Sequence, residues 1–226
     1  MRDFISEKSF QFLARLAGHT SDRDWFEKHK PEYKKHIHDP LRELAAWLGP
    51  VMLSLDADFE VTPRRVVSRI HKDTRFSRDK ALYKSNMWLT FKRPDKNWRD
   101  APCFFFEIFP DGFRYGMGFY QATSATMHGL RAFIAEDPQE FLRLMEEALK
   151  IYTVQGEPYK KPPESALPAA INAMILRRNF YLQCWRPPAA LPFEEVMDNI
   201  VPHYESLRDL YIYLMRAKAR MAAGML

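Results

Sequence analysis

The sequence predicts an α+β fold, in which a central antiparallel β-sheet is packed by N-terminal and C-terminal helices. Apolar residues recur at helical spacing in about the first fifty residues and again after residue 124. Between these regions lie short runs rich in β-branched and aromatic residues, and two of the runs flank Pro110-Asp111-Gly112. A turn sequence of this kind between two such runs is typical of a β-hairpin.

The first part of the chain, residues 4–50, is predicted to be helical. Ser6 is a suitable N-cap for the first helix. Pro31 should kink or restart the second helix, because proline removes a backbone donor. Asp39 with the proline after it is expected to open a third helix that closes near Gly49.

The middle of the chain, residues 64–120, is predicted to be the sheet, with strands at residues 66–71, 86–91, 103–109 and 113–120. If Asp111 and Gly112 form a two-residue turn, Glu107 pairs with Gly116 on a face of mixed polarity. Glycine removes side-chain volume, so this face is expected to form the floor of a pocket. The opposite face is apolar and should lie under helices: it carries Phe104, Phe106, Ile108, Tyr115, Met117 and Phe119.

The last part, residues 124–221, is predicted to be helical with one late strand at residues 180–185. A long C-terminal helix is expected to be kinked at Pro202. No segment is long enough to serve as a linker, so residues 1–226 are predicted to form a single domain.

The positive charge is concentrated in one segment, although the chain as a whole carries +5. Residues 64–84 contain eight basic side chains and two acidic ones, so the rest of the chain is close to neutral. The basic residues are Arg64, Arg65, Arg69, Lys72, Arg75, Arg78, Lys80 and Lys84. A local excess predicts one anion-facing patch rather than a surface that wraps a duplex.

The candidate ligand-binding residues come from this basic segment and from the sheet beside it. They are Arg69, Asp73, Arg75, Lys80, Tyr83, Lys84, Trp88 and Tyr120. If the strand faces align, one cavity contains Arg69, His71, Trp88, Glu107 and Tyr120. The acid or base candidates for any catalysis are Glu107, His71 and Tyr83. The alternative interpretation is that Arg69 and Glu107 form an ion pair that only stabilises the fold.

Other kinds of site are not indicated by the sequence. It has no cysteine pair at zinc spacing, no glycine loop for phosphate and no nucleophile elbow, so neither a metal nor a cofactor is expected. Cys103 and Cys184 lie in apolar runs and are expected to be buried, reduced thiols of a cytoplasmic protein. There is no apolar stretch of membrane-spanning length, and the N-terminus does not look like a signal peptide.

Several motifs together carry a family resemblance over most of the chain. They are Arg23-x-Trp25-Phe26, Arg69-Ile70-x-x-Asp73-Thr74-Arg75-Phe76-Ser77-x-Asp79-Lys80-x-x-Tyr83-Lys84, and Gly116-x-Gly118-x-Tyr120. In these the chain resembles a family of bacterial and fungal conserved hypothetical proteins, catalogued as a domain of unknown function. It departs from the pattern at Ser21 and Asp22, often asparagines in the family, at Lys72, usually arginine, and at Leu82, usually proline. The resemblance implies a single α+β domain and supplies no activity.

Three functions remain open at this point. The first is binding, with or without turnover, of a small anionic molecule that bears a phosphate or carboxylate group. The second is nucleic-acid binding through the same basic segment. The third is a role as a protein-interaction or assembly subunit, in which the basic segment meets an acidic partner. No membrane partner is expected.

Overall fold

The computed structural model describes residues 3–73 and 81–225, and the predicted α+β class is confirmed there. The strands are β1 (Asp3–Ile5), β2 (Met87–Phe91), β3 (Pro102–Phe109), β4 (Gly112–Phe119), β5 (Thr153–Gln155), β6 (Tyr181–Arg186) and β7 (Leu191–Pro192). The helices are α1 (Glu7–Ala17), α2 (Arg23–Tyr33), α3 (Asp39–Leu55), α4 (Pro63–Val66), α5 (Ser124–Glu136), α6 (Pro138–Ala148), α7 (Ala169–Ile175), α8 (Phe193–Glu195), α9 (Val201–Ser206) and α10 (Arg208–Ala222). In this part of the chain no helix is long and apolar enough to cross a membrane.

The N-terminal helices begin at side chains that cap them. At the start of α1, the backbone N–H of Ser6 donates to Ser9 Oγ at 3.1 Å, as expected for a capped helix. At the start of α2, Asp22 Oδ1 accepts from the backbone N–H of Trp25 at 2.9 Å. A carboxylate at this position also stabilises the positive end of the helix dipole.

The predicted end of the third helix near Gly49 is wrong, and the second helix does not restart at Pro31. Pro31 lies inside α2, and the chain continues through a π-helical turn, Lys34–His38, directly into α3. α3 then passes Gly49 and ends at Leu55. The apolar stripe explains why α3 does not end near Gly49: Met52 and Leu55 are buried and continue the helical spacing beyond Gly49, so packing outweighs the weak propensity of glycine.

The main sheet has five strands in the order β2-β3-β4-β6-β5, and the predicted β3–β4 hairpin is present. Its turn residues are Pro110 and Asp111, one position earlier than predicted. A second, two-stranded sheet pairs β1 with β7, with Asp3 opposite Pro192. The predicted early strand at residues 66–71 is instead the end of α4 followed by two isolated antiparallel bridges, Val67 to Leu89 and His71 to Tyr83.

The predicted apolar face of the hairpin is confirmed, since all six of its side chains are at most 2% exposed. Phe104 contacts the rings of Tyr204 in α9 and Tyr211 in α10, with ring centroids 5.7 and 5.4 Å apart. Phe106 stacks against Phe113 at 5.5 Å. In the N-terminal region, α3 packs against β2.

The C-terminal part contains three strands, β5, β6 and β7, rather than the single late strand predicted. The predicted long final helix is divided into α8, a π-helical turn (Val196–Ile200), α9 and α10. Pro202 lies near the start of α9, and the break before α10 falls at Leu207. α10 packs against α5 and α6.

The chain forms two compact units that alternate along the sequence. The first comprises Met1–Phe91, Phe105–Tyr115 and Trp185–Val201, and the second comprises Lys92–Phe104, Gly116–Cys184 and Pro202–Leu226. Each unit therefore contains segments that are distant in sequence. The assignment of residues 1–226 to a single domain stays a prediction.

Candidate functional site

Lys84 lies between the bridge at Tyr83 and the first residue of β2. Its backbone N–H donates to Ile70 O at 2.9 Å, which fixes the start of its side chain. The side chain is half-buried, and Nζ lies 4.0 Å from the ring centroid of Trp88. Within the described residues, Nζ forms no hydrogen bond or ion pair. This ammonium group therefore rests on an aromatic ring without an acceptor.

Glu107 of β3 is the carboxylate whose charge acts on Lys84. Its Oε1 accepts a hydrogen bond from Asn86 Nδ2 at 2.5 Å. Its Oε2 accepts from Arg114 Nε and Nη2 at 2.8 and 2.6 Å. Both oxygens are thus occupied, and the Glu107 side chain is only 12% exposed. The alternative interpretation paired Glu107 with Arg69, whereas the structure pairs Glu107 with Arg114 of β4.

The environment of Lys84 changes its titration. Burial lowers the pKa of Lys84 to about 8, and the negative charge of Glu107 opposes that shift without cancelling it. Desolvation disfavours the ammonium form, which explains the direction. Lys84 is therefore mainly protonated at pH 7 but carries a substantial amine fraction at pH 8.

His71 lies beside Tyr83 rather than beside Lys84. The bridge between His71 and Tyr83 makes these two side chains neighbours, with ring centroids 5.2 Å apart. Side chains alternate along an extended segment, so Lys84, the residue after Tyr83, is directed away from Tyr83 and His71. The cavity expected to contain Arg69, His71, Trp88, Glu107 and Tyr120 stays a prediction.

Tyr83 is a core residue. It is 3% exposed and stacks on Phe26 of α2 with centroids 4.1 Å apart. Burial raises the pKa of Tyr83, so the phenol stays protonated at neutral pH. His71, by contrast, is exposed. Neither residue reaches the face that carries Lys84.

The predicted pocket floor at Gly116 and Gly118 is filled by backbone. A Cβ atom at Gly116 would lie 1.9 Å from Leu182 O, and one at Gly118 would lie 2.4 Å from Tyr181 Cα. Both contacts are impossible, so these glycines allow the backbone of β6 to approach closely. The space that was expected for a ligand is used for packing.

Tyr120 belongs to a separate cluster in the second unit. It is 55% exposed, and its ring lies 5.4 Å from that of Trp98. Lys92 Nζ lies 3.4 Å from the Trp98 centroid, and the Arg99 guanidinium carbon 5.0 Å. The backbone N–H of Gln121 donates to Arg99 O at 2.8 Å and joins the two segments.

The remaining candidates of the basic segment differ in their surroundings. Arg65 is paired with Glu60, whose carboxylate lies 2.8 Å from Arg65 Nη1. Hydrogen bonds from Thr62 and Arg65 lower the pKa of Glu60 to about 2. Arg69 and Asp73 are exposed. Arg75 and Lys80 lie outside the described residues.

Asn86 and Arg114 are the site residues that the sequence did not single out. A usable signal was the proline in the turn, because proline favours the first central position of a β-turn. A turn at Pro110 and Asp111 shifts the hairpin register by two residues. That shift brings Arg114, rather than Gly116, beside Glu107, as their ion pair shows.

The comparisons with known proteins agree with the resemblance read from the motifs. A family model described as conserved hypothetical protein (DUF2461) matches residues 8–213. No curated protein matches the chain.

Proposed function

We propose that this chain, which belongs to the conserved hypothetical protein family DUF2461, binds a small phosphate- or carboxylate-bearing anion at Lys84. The supporting observation is the half-buried Lys84 ammonium, which finds no acceptor among the described residues. A partly desolvated charge without a partner is unfavourable. An anion would supply charge-assisted hydrogen bonds and offset that cost.

The neighbours of Lys84 favour a bound anion over neutralisation of the ammonium charge by a carboxylate of the chain itself. Glu107 is already engaged by Asn86 and Arg114, so its lone pairs are committed elsewhere. Trp88 offers a flat apolar wall beside the ammonium, which suits the body of a small organic anion. Arg75 and Lys80 are included as ligand-binding residues only because of the charge pattern of the sequence.

Binding without turnover is the form of this function that the side chains support best. The Glu107 carboxylate accepts three hydrogen bonds and is poorly placed to act as a free base. The Tyr83 phenol is buried, and His71 lies on the other face. None of the three acid or base candidates is therefore directed at a ligand on Lys84.

Thermal denaturation at pH 7 and low ionic strength tests the proposal. Inorganic phosphate, phosphoglycolate, citrate and lactate are the probes, and at least one should raise Tm. A ligand at a hundred times its Kd stabilises the native state by about 2.7 kcal/mol. Lys84→Gln should abolish the shift, and Lys28→Gln, an exposed lysine of α2, should retain it. A full shift in Lys84→Gln, or no shift with any probe, refutes the proposal.

We propose nucleic-acid binding as the second candidate. The surface that supports it is the Trp98–Tyr120 pair, rather than the basic segment 64–84 that the sequence suggested. The exposed Tyr120 ring and the partly buried Trp98 ring, beside Lys92 and Arg99, have the composition of a single-strand stacking surface. Bases stack on such rings while phosphates are attracted to the cations.

Fluorescence anisotropy with a labelled single-stranded oligonucleotide tests this candidate. Affinity should fall steeply as salt rises, because bound cations release counterions from the strand. Tyr120→Ala should weaken binding at least about fivefold, since stacking of one base contributes about 1–3 kcal/mol. Trp47→Ala, which removes another exposed ring, serves as the control. Equal affinity in the Tyr120 variant excludes stacking on this pair.

We infer that the protein works in a reducing compartment, the cytoplasm. Cys103 and Cys184 are both free thiols and both buried, which is usual for proteins kept under reducing conditions. Immunodetection in cytoplasmic, membrane and external fractions of the native cell tests the inference. Recovery outside the cytoplasmic fraction contradicts it.

A further inference from the structure

We infer that Lys84 is also a nucleophile, which captures 2-oxo acids as an imine. This inference rests on the proposed anion binding at the same residue. It names the class of anion, a carboxylate directly attached to an aldehyde or ketone carbon.

The geometry leaves the Lys84 nitrogen available for attack. A lysine that donates to a carboxylate is held in its protonated form, and its nitrogen has no lone pair to offer. Here Nζ lies 4.0 Å from the Trp88 centroid, and no carboxylate accepts from it among the described residues. Glu107, the carboxylate whose charge acts on Lys84, is occupied by Asn86 and Arg114.

The titration of Lys84 agrees with this geometry. A pKa of about 8 leaves roughly a tenth of the side chains as free amine at pH 7, whereas an ordinary lysine leaves less than a thousandth. Desolvation beside an apolar wall is a known way to activate a lysine for attack on carbonyl groups. Arginine cannot do this, because its guanidinium stays protonated.

The reaction balances without an oxidant or a reductant. The amine lone pair forms an N–C bond to the carbonyl carbon, and the carbonyl electron pair moves to oxygen, which gains a proton. The nitrogen releases one proton, and the carbinolamine hydroxyl takes up another and leaves as water while the C–O bond breaks and the N=C bond forms. Overall, the lysine ammonium and the carbonyl compound give a protonated imine and water. A protonated imine keeps the positive charge, so the adjacent carboxylate keeps its counter-ion. This retained charge favours a 2-oxo acid over a neutral aldehyde.

Reductive trapping tests the inference directly. The full chain is incubated with pyruvate and cyanoborohydride at pH 7, and the labelled lysines are identified by peptide mass mapping. Lys84 should acquire the reduced pyruvyl group at least about tenfold faster than the exposed Lys28, because of its larger amine fraction. Its labelling rate should level off above about pH 8, while that of Lys28 keeps rising.

Lys84→Arg separates the two proposals, because it keeps the charge and removes the nucleophile. The variant should lose the adduct at position 84 and keep the Tm increase produced by lactate, which has no carbonyl group to attack. Labelling spread evenly over the exposed lysines overturns the imine. If lactate raises Tm of the wild type but pyruvate forms no adduct at Lys84, the imine is also overturned and anion binding is left intact. Absence of both effects removes both proposals.

Discussion

Lys84 and Glu107 show how differently two charged side chains of one unit are held. Glu107 receives three hydrogen bonds from Asn86 and Arg114 and is 12% exposed. Among the residues that the structure describes, the Lys84 ammonium group contacts the ring of Trp88 and no acceptor. Buried charges are normally paired and hydrogen-bonded. Glu107 therefore fits a structural role, and Lys84 is the group at which we propose that an external partner binds.

Glu107→Gln is expected to lower the free energy of unfolding by about 1–3 kcal/mol, because it leaves the half-buried Arg114 without its counter-charge. Urea denaturation at pH 7 measures the change. Glu147→Gln breaks the exposed pair with Lys150 and should alter stability by less than about 0.5 kcal/mol. Equal effects of the two variants would contradict the structural role of Glu107.

Lys84→Met is expected to be more stable than the wild type at pH 7, on the order of 1 kcal/mol once solvent screening is allowed for. The folded protein lowers the pKa of Lys84 to about 8, so below that pH the penalty for burying an ammonium is present in full. Between pH 8 and the unfolded value of 10.5, the unfolded chain binds the extra proton and the penalty disappears. The advantage of the variant should shrink over this range in urea denaturation series. If the stability advantage of Lys84→Met grew with pH, the pKa of Lys84 would be raised rather than lowered in the folded protein.

At the scale of elements, the approach of β6 to β4 decides where a ligand cannot bind. Gly116 and Gly118 present no side chains, and the backbone at Tyr181 and Leu182 occupies the space that side chains would need. Glycine in a strand often marks such a close approach. The two strand glycines are visible in the sequence, but the backbone that fills the space beside them belongs to a strand more than sixty residues away.

Gly116→Ala is expected to destabilise the protein by at least about 3 kcal/mol, or to prevent folding, because the new Cβ would meet backbone atoms that cannot rotate away. Circular dichroism during thermal denaturation checks this. Gly18→Ala is the matched control, since its Cβ would lie 3.6 Å from Arg15 O, an ordinary contact. A Gly116→Ala protein of normal stability would show that β6 is not held so close.

Elements with a strong local pattern were predictable, and short ones were not. The N-cap position of Ser6 was predictable from the sequence. At the start of α6 the side chain of Asp137 accepts from the backbone of Gln139 and Glu140 at 3.1 Å, which is the usual pattern for an aspartate cap. β1 and β7 contain three and two residues, too few to show a period of two. Their pairing depends on contacts across almost the whole chain.

The site was predictable where it depends on charge and not where it depends on register. Lys84 and Trp88 follow from the basic segment and from the alternation of side chains. Arg114 depends on whether the turn begins at Pro110 or at Asp111. The face of Arg69 depends on which residue pairs with His71, and nothing local to Arg69 specifies that.

At the scale of the whole molecule, the two cysteines report on opening of the structure. Cys103 is 3% exposed, and its thiol lies 3.5 Å from Gly118 O. Burial raises the pKa of Cys103 to about 12, so little thiolate is present at pH 8. Cys184 is 8% exposed. Reaction at either thiol therefore requires the surrounding structure to open.

Ellman's reagent at pH 8 is expected to leave both thiols unmodified over minutes in the native protein and to react with two in denaturant. The time course of absorbance provides the measurement. Addition of urea below the unfolding midpoint should accelerate the reaction in proportion to the population of open molecules. Immediate reaction of one thiol without denaturant would mean that its surroundings are loose in the native state.

The pairing of β1 with β7 has a consequence for synthesis on the ribosome. Ile5 lies opposite Leu191, and Phe4 and Ile5 are almost completely buried. Their partner strand is translated roughly 10–40 s after them at ordinary elongation rates of about 5–20 residues per second. Until then β1 lacks its partner strand, and its unpaired edge stays available on the nascent chain, where chaperones that recognise such segments have time to engage it.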